Sequence, residues 1–120
     1  MEDSQPGSIV WHDLTVPNAE EVKNFYSAVI GWSARERDGD FEMTLPETDK
    51  AVSGVCYARG TNANLPPQWL LYVTVPSVPV ACEQCVKLGG TIVDGPRRLG
   101  NNMFCVLKDP AGAHIALIEP

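Results

Sequence analysis

The chain is written twice. Thr15, Val16 and Pro17 recur as Thr74, Val75 and Pro76, an offset of 74 − 15 = 59 residues, and Gly31 recurs as Gly90 at the same offset. In a chain of 120 residues that offset divides the whole sequence into two like halves. A half-unit of this size has an apolar sheet face that it cannot bury alone, so two are needed to enclose a shared interior. The expected organisation is one domain, 1–120, with a first module over about 9–59, a linker over about 60–68 and a second module over about 69–120.

The stretch Trp11 to Trp32 sets the pattern for each half. Ile9 to Thr15 or Val16 reads as a strand bounded by Pro17. Side chains alternate across a strand, so Trp11, Asp13 and Thr15 share one face, while Val10, His12, Leu14 and Val16 share the other. The second set is the more apolar and is expected to lie under a helix. Asn18 is a suitable N-cap, with Glu21 three residues on as in a capping box. Val22, Phe25, Tyr26 and Val29 follow at helical spacing as the expected buried stripe, and Gly31 stops the helix.

Strands are expected at about Ser33 to Arg37, Phe41 to Leu45 and Val52 to Ala58, with Asp38-Gly39-Asp40 as a turn. Gly60 to Gln68 has linker chemistry. The second half repeats the order: a strand from Trp69 to Val75, a Ser77-capped helix to Leu88, then strands at Thr91 to Val93, Met103 to Leu107 and His114 to Ile118. Gly95 to Asn102 reads as a polar loop able to move, and Asp109 to Gly112 as a turn. Residues 1–8 read as a loose terminus. The predicted fold class is α+β: two βαβββ modules, helices on one side of a curved mixed sheet.

Composition matters here for what it excludes. A net charge of −6 and a pI near 4.7 argue against nucleic acid, which demands a clustered basic surface. No apolar run is long enough to span a bilayer. The acidic, polar start differs from a signal peptide, so the cytoplasm is the expected compartment. Among Cys56, Cys82, Cys85 and Cys105, the Cys82–Cys85 pair matches C-x-x-C, which serves redox or zinc chemistry in some proteins. With no second such pair, and with both positions expected to face the sheet, core packing is the favoured reading.

These motifs together resemble the vicinal oxygen chelate superfamily, which includes glyoxalase I, bleomycin-resistance proteins and extradiol dioxygenases. The resemblance is carried by the first strand with Val16-Pro17-Asn18, Phe25-Tyr26 and Val29 to Trp32, by Lys87 to Gly90, and by Asp109 to Ala113 leading into the last strand. It implies a U-shaped sheet around a cavity that holds a small organic ligand and, in the enzymes, a divalent metal. The metal-ligand positions of the family fall on Trp11, Leu70, Ala116 and a residue within 55–57. None carries His or a carboxylate, whereas a metal site needs three or more N, O or S donors.

The expected ligand-binding residues are Trp11, Asp13, Thr15, Leu70, Tyr72, Thr74, His114 and Ala116, an apolar and aromatic set with a few polar groups. A bland alternative is that these side chains only fill the interior. Parity turns His12 to the helix side, as a packed and hydrogen-bonded residue; a one-residue slip would make it a ligand instead. Arg97 and Arg98 are expected to be solvated, with closure on an anionic ligand as the alternative.

The favoured expectation is a metal-free protein that binds a small organic molecule, with no cofactor, as a homodimer. The alternative is a lyase or isomerase, metal-dependent at unusual residues or metal-free, with Asp13 or His114 as base and Tyr72 as donor. A third reading is an interaction module with a vestigial cavity.

Overall fold

The computed structural model describes residues 5–120. It contains, in order, β1 (Ile9–Val16), α1 (Ala19–Ile30), β2 (Ser33–Arg37), β3 (Asp40–Thr44), β4 (Ala51–Tyr57), a 3-10 turn (Gly60–Asn62), β5 (Trp69–Thr74), α2 (Val78–Lys87), β6 (Thr91–Leu99), β7 (Asn102–Lys108) and β8 (His114–Ile118). This is βαβββ twice, an α+β fold. The chain divides into two compact units, His12–Trp69 and Leu70–Pro120 joined by the described residues up to Trp11, so the boundary falls inside β1. Among the described residues no helix is long and apolar enough to cross a membrane.

In the first unit the strands lie in the order β2-β3-β4-β1, antiparallel except for β1 and β4, which run parallel in the register Asp13–Gly54 to Val16–Tyr57. Leu14, Val16, Phe41, Met43 and Val55 form the buried side of this mixed sheet, with Ala19, Val22 and Tyr26 of α1 against them. The strand parity read from sequence is therefore correct.

The helix stripe is narrower than its apolar pattern. Phe25 and Val29, expected in the core, are 57% and 64% exposed. The line that packs on the core is Ala19, which is buried, with Val22 and Tyr26 partly buried, and Phe25 lies about 100° round the helix from Tyr26. The start of α1 also differs from expectation. Asn18 makes no side-chain cap; its Nδ2 instead donates to Glu21 Oε1 at 3.0 Å. Gly31 does end the helix, in the left-handed region at φ 93°.

The second unit repeats the strand order as β6-β7-β8-β5, with β5 and β8 parallel. Val78 and Cys82 of α2 pack on Cys105, Val75, Ile92, Met103 and Leu117. Ser77 accepts the N–H of Val80 at 3.3 Å, the expected cap. On the opposite face Leu70, Tyr72, Thr74, Phe104, Val106, Ala116 and Ile118 are all buried.

Two loop expectations are corrected. The segment 95–102 is mostly strand: β6 runs on to Leu99 and returns as β7, with register shifts between Ile92 and Arg97 and a cis Gly95–Pro96 bond. Backbone pairing with β7 satisfies a segment whose own composition reads as loop. Residues 5–8, expected to be loose, are tied to β5. Thr74 Oγ1 donates to Gln5 O at 2.7 Å, Gly7 N–H donates to Thr74 O at 2.8 Å, and Thr74 N–H donates to Ser8 O at 2.9 Å. Residues 1–4 of the same expectation lie outside the described residues.

Candidate functional site

The expected site residues fall on the sheet faces turned away from the helices, in both units. In the first unit Asp13 and Thr15 alternate with Leu14 and Val16, and the register sets Asp13 beside Gly54 and Thr15 beside Cys56. Asp13 Oδ1 occupies the space that a β-carbon on Gly54 would need, so the glycine is what lets this carboxylate lie flat on the sheet. Thr15 is buried and Asp13 half-buried.

Sequence reasoning missed the rest of this face. Glu42 pairs with Gly54 from the other side and accepts from Arg35 Nε at 3.0 Å and Arg37 Nη1 at 3.2 Å. The hydrogen bond from Arg35 is the main reason that the Glu42 carboxyl lies below its ordinary range. The signal was available: Arg35 and Arg37 stand two apart on one strand and so share a face. Cys56 completes the face, and burial, aided by the charges of Asp13 and Asp40, pushes its thiol up to about 12.

In the second unit Leu70, Tyr72, Thr74, His114 and Ala116 come together on the face opposite α2, with Tyr72 paired to Ala116. Tyr72 stacks on Phe104, ring centroids 6.5 Å apart and planes 15° apart. Thr74 is occupied by the N-terminal segment and Ala116 is fully buried. His114 is half-buried. Trp11, also half-buried, belongs to this unit.

Arg97, expected from the sequence to be a solvated residue, is engaged within the fold while its side chain stays partly exposed. It donates to Asp94 through Nε (3.0 Å) and Nη2 (2.9 Å), and its guanidinium lies 4.6 Å from the Phe104 ring centroid. Arg98 is exposed and donates to Asn101 O at 3.3 Å.

His12 keeps the helix side, as parity requires, yet it is exposed rather than packed. It lines a cleft of about 300 Å³ with Trp32, Val52, Ser53 and Trp69. Nothing in the local pattern of residues marked this cleft, because its walls come from four separate segments.

Of the Cys82–Cys85 pair expected in the core, Cys82 is buried and Cys85 only half-buried. Cys82 and Cys105 are buried with Val78, and all four thiols are free. Burial first, and then a hydrogen bond with Cys82, raise Cys105 to about 12; burial also raises Cys85.

A divalent metal would need donors that the family positions do not carry. Trp11, Leu70 and Ala116 offer none, and the sulfur of Cys56, within 55–57, keeps its proton well above neutral pH. Among the described residues no three His, Cys, Asp or Glu side chains group closely enough to hold an ion. The donor set does not fit the metal.

The fold and these motifs find counterparts among known proteins. Residues 9–118 match the glyoxalase-like domain, and the chain belongs to that family. Two curated relatives are the anthracycline biosynthesis proteins DauV of Streptomyces sp. (strain C5) and DnrV of Streptomyces peucetius. They are 26% and 25% identical over 95% and 93% of this chain, but over only 42% and 46% of their own lengths. The chain thus spans less than half of the relatives it matches. Among solved structures, methylmalonyl-CoA epimerase from Mycobacterium tuberculosis superposes with a TM-score of 0.57 at 15% identity, over 100% of this chain and 93% of its own. That likeness shows the fold.

Proposed function

We propose that this chain binds a small organic molecule in the cytoplasm and does so without the metal of its enzymatic relatives. The observation that carries the reading is the donor set: three of the four family metal positions are Trp11, Leu70 and Ala116, none of which can ligate. The face away from α1 in the first unit carries the polar groups Asp13 and Thr15, and the face away from α2 in the second carries apolar and aromatic side chains with His114; each is a composition suited to contact with an organic ligand. The relatives' part in anthracycline biosynthesis makes a flat, polycyclic aromatic compound the first ligand class to test. The proposal includes a homodimer, since α1 leaves Phe25, Val29 and Ile30 at least half exposed.

The lyase or isomerase alternative has one favouring observation, the room that Gly54 gives to the Asp13 carboxylate as a base. Against it, Tyr72 is 6% exposed and stacked on Phe104, and so is poorly placed to donate to a substrate.

Elemental analysis of the purified protein, with Co²⁺, Ni²⁺, Zn²⁺ and Mn²⁺ titrations, tests the proposal. The expected result is no stoichiometric metal and no saturable uptake. One metal per chain, lost in Asp13→Asn, would overturn it in favour of the enzyme.

A further inference from the structure

The cleft on the helix side of the first unit belongs to none of the faces discussed as the family site. Trp32, two residues beyond α1, forms one wall and Trp69 another, their ring centroids 6.1 Å apart and their planes at 77°. Trp69 is held in place, because its Nε1 donates to the Tyr26 hydroxyl at 3.2 Å. The polar atom of that indole is thereby used, and its ring is left as apolar surface. Val52 adds to this surface, and the lining carries no carboxylate, lysine or arginine.

Ser53 also lines the cleft. Its side chain is on the helix face, since the neighbouring Gly54 carries Asp13 on the other. The residue is 2% exposed, and among the described residues its Oγ has no hydrogen-bond partner. An unmet buried hydroxyl is unfavourable, and natural folds seldom leave one without a reason. His12 and Ser53 each precede a register partner, Asp13 and Gly54, and both line the cleft.

We propose that this cleft is a binding site for a neutral, flat aromatic ketone of two or three fused rings. The rings lie against Trp32 and Trp69, and the carbonyl oxygen accepts from Ser53 Oγ. A cleft of about 300 Å³ is at the small end for organic ligands, which limits the ring count. A charged ligand would meet no countercharge here. The inference does not depend on the metal-free reading, because it concerns the other face of the sheet.

The test is a fluorescence titration of the full chain with 6-propionyl-2-dimethylaminonaphthalene, a naphthyl ketone whose emission moves to the blue on leaving water. Saturable binding at micromolar concentration is expected. Ser53→Ala should weaken the ketone roughly fivefold while leaving its carbonyl-free analogue, 2-dimethylaminonaphthalene, unchanged. Trp32→Leu should weaken both, and Glu83→Gln, on the exposed side of α2, neither. Ser53→Ala removes only the unmet hydroxyl, so its thermal midpoint should equal or exceed that of the parent and confirm that the variant folds. No saturable binding to the parent chain, or equal affinity in the parent, Ser53→Ala and Trp32→Leu proteins, overturns the proposal. A bound metal on the opposite face would leave it intact.

Discussion

The carboxylate of Asp13 lies over Gly54, its Oδ1 in the place where any other residue at 54 would put a β-carbon. The two residues are register partners on parallel strands, so the fit is set by the sheet itself. Gly54→Ala should destabilise the protein by about 1–2 kcal/mol through this overlap, even though alanine is the better strand residue. In an Asp13→Gly background the same change should be neutral or stabilising. A double-mutant cycle by urea denaturation reads the coupling, and additive effects would mean that the two residues do not compete for space.

Thr74 offers a second quantitative check. Its hydroxyl donates to Gln5 O at 2.7 Å and accepts from Ser8 N–H at 3.2 Å, and the residue is fully buried. Thr74→Val keeps the shape but removes both hydroxyl bonds, while Ser8 N–H and Gln5 O still pair with each other at 3.1 Å, so a loss of roughly 0.5–1.5 kcal/mol is expected. Amide exchange at Ser8 should accelerate more than exchange in α1. Uniform acceleration throughout the chain would show that the hydroxyl does not hold this segment in particular.

The thiols predict a pH dependence. Cys56 and Cys105 are raised from 9.0 to about 12 in the fold, chiefly by burial. The folded state therefore retains protons that the unfolded chain releases. Their contribution to stability is complete below pH 9 and is lost as pH rises towards 12. Iodoacetamide at pH 8, followed by mass spectrometry, should leave Cys56 and Cys105 unmodified in the native protein and label them after unfolding. Rapid native labelling of either would contradict the burial described here.

The exposed side of α1 bears on self-association. Phe25→Gln combined with Val29→Gln should change folding stability by no more than about 1 kcal/mol, because neither side chain is in the core. Sedimentation velocity should show a dimer for the parent chain and a monomer for the double variant. A parent chain that stays monomeric at high concentration removes the homodimer from the proposal.

Much of the fold is legible in local pattern. The 59-residue repeat gave the two βαβββ modules, alternation placed Leu14 and Val16 under α1, and Gly31 ended that helix at positive φ. These features depend on chain geometry within a few residues, which is the range that periodicity and glycine report. On the candidate site, the sequence identified Asp13 and Thr15 as sharing a face.

Other features needed partners distant in sequence. Whether Phe25 and Val29 are covered depends on how wide an arc of α1 the sheet reaches, not on their spacing. The polar segment 95–102 became strand because β7 supplies its hydrogen bonds. Residues 5–8 are fixed by a threonine 66 positions from Ser8. The cleft joins His12, Trp32, Ser53 and Trp69, which no sequence window contains. The sequence by itself determined most of the elements and which way their side chains alternate. Only the tertiary structure decided which of those side chains meet, because burial and hydrogen-bond satisfaction are properties of packed neighbours rather than of the chain's local geometry.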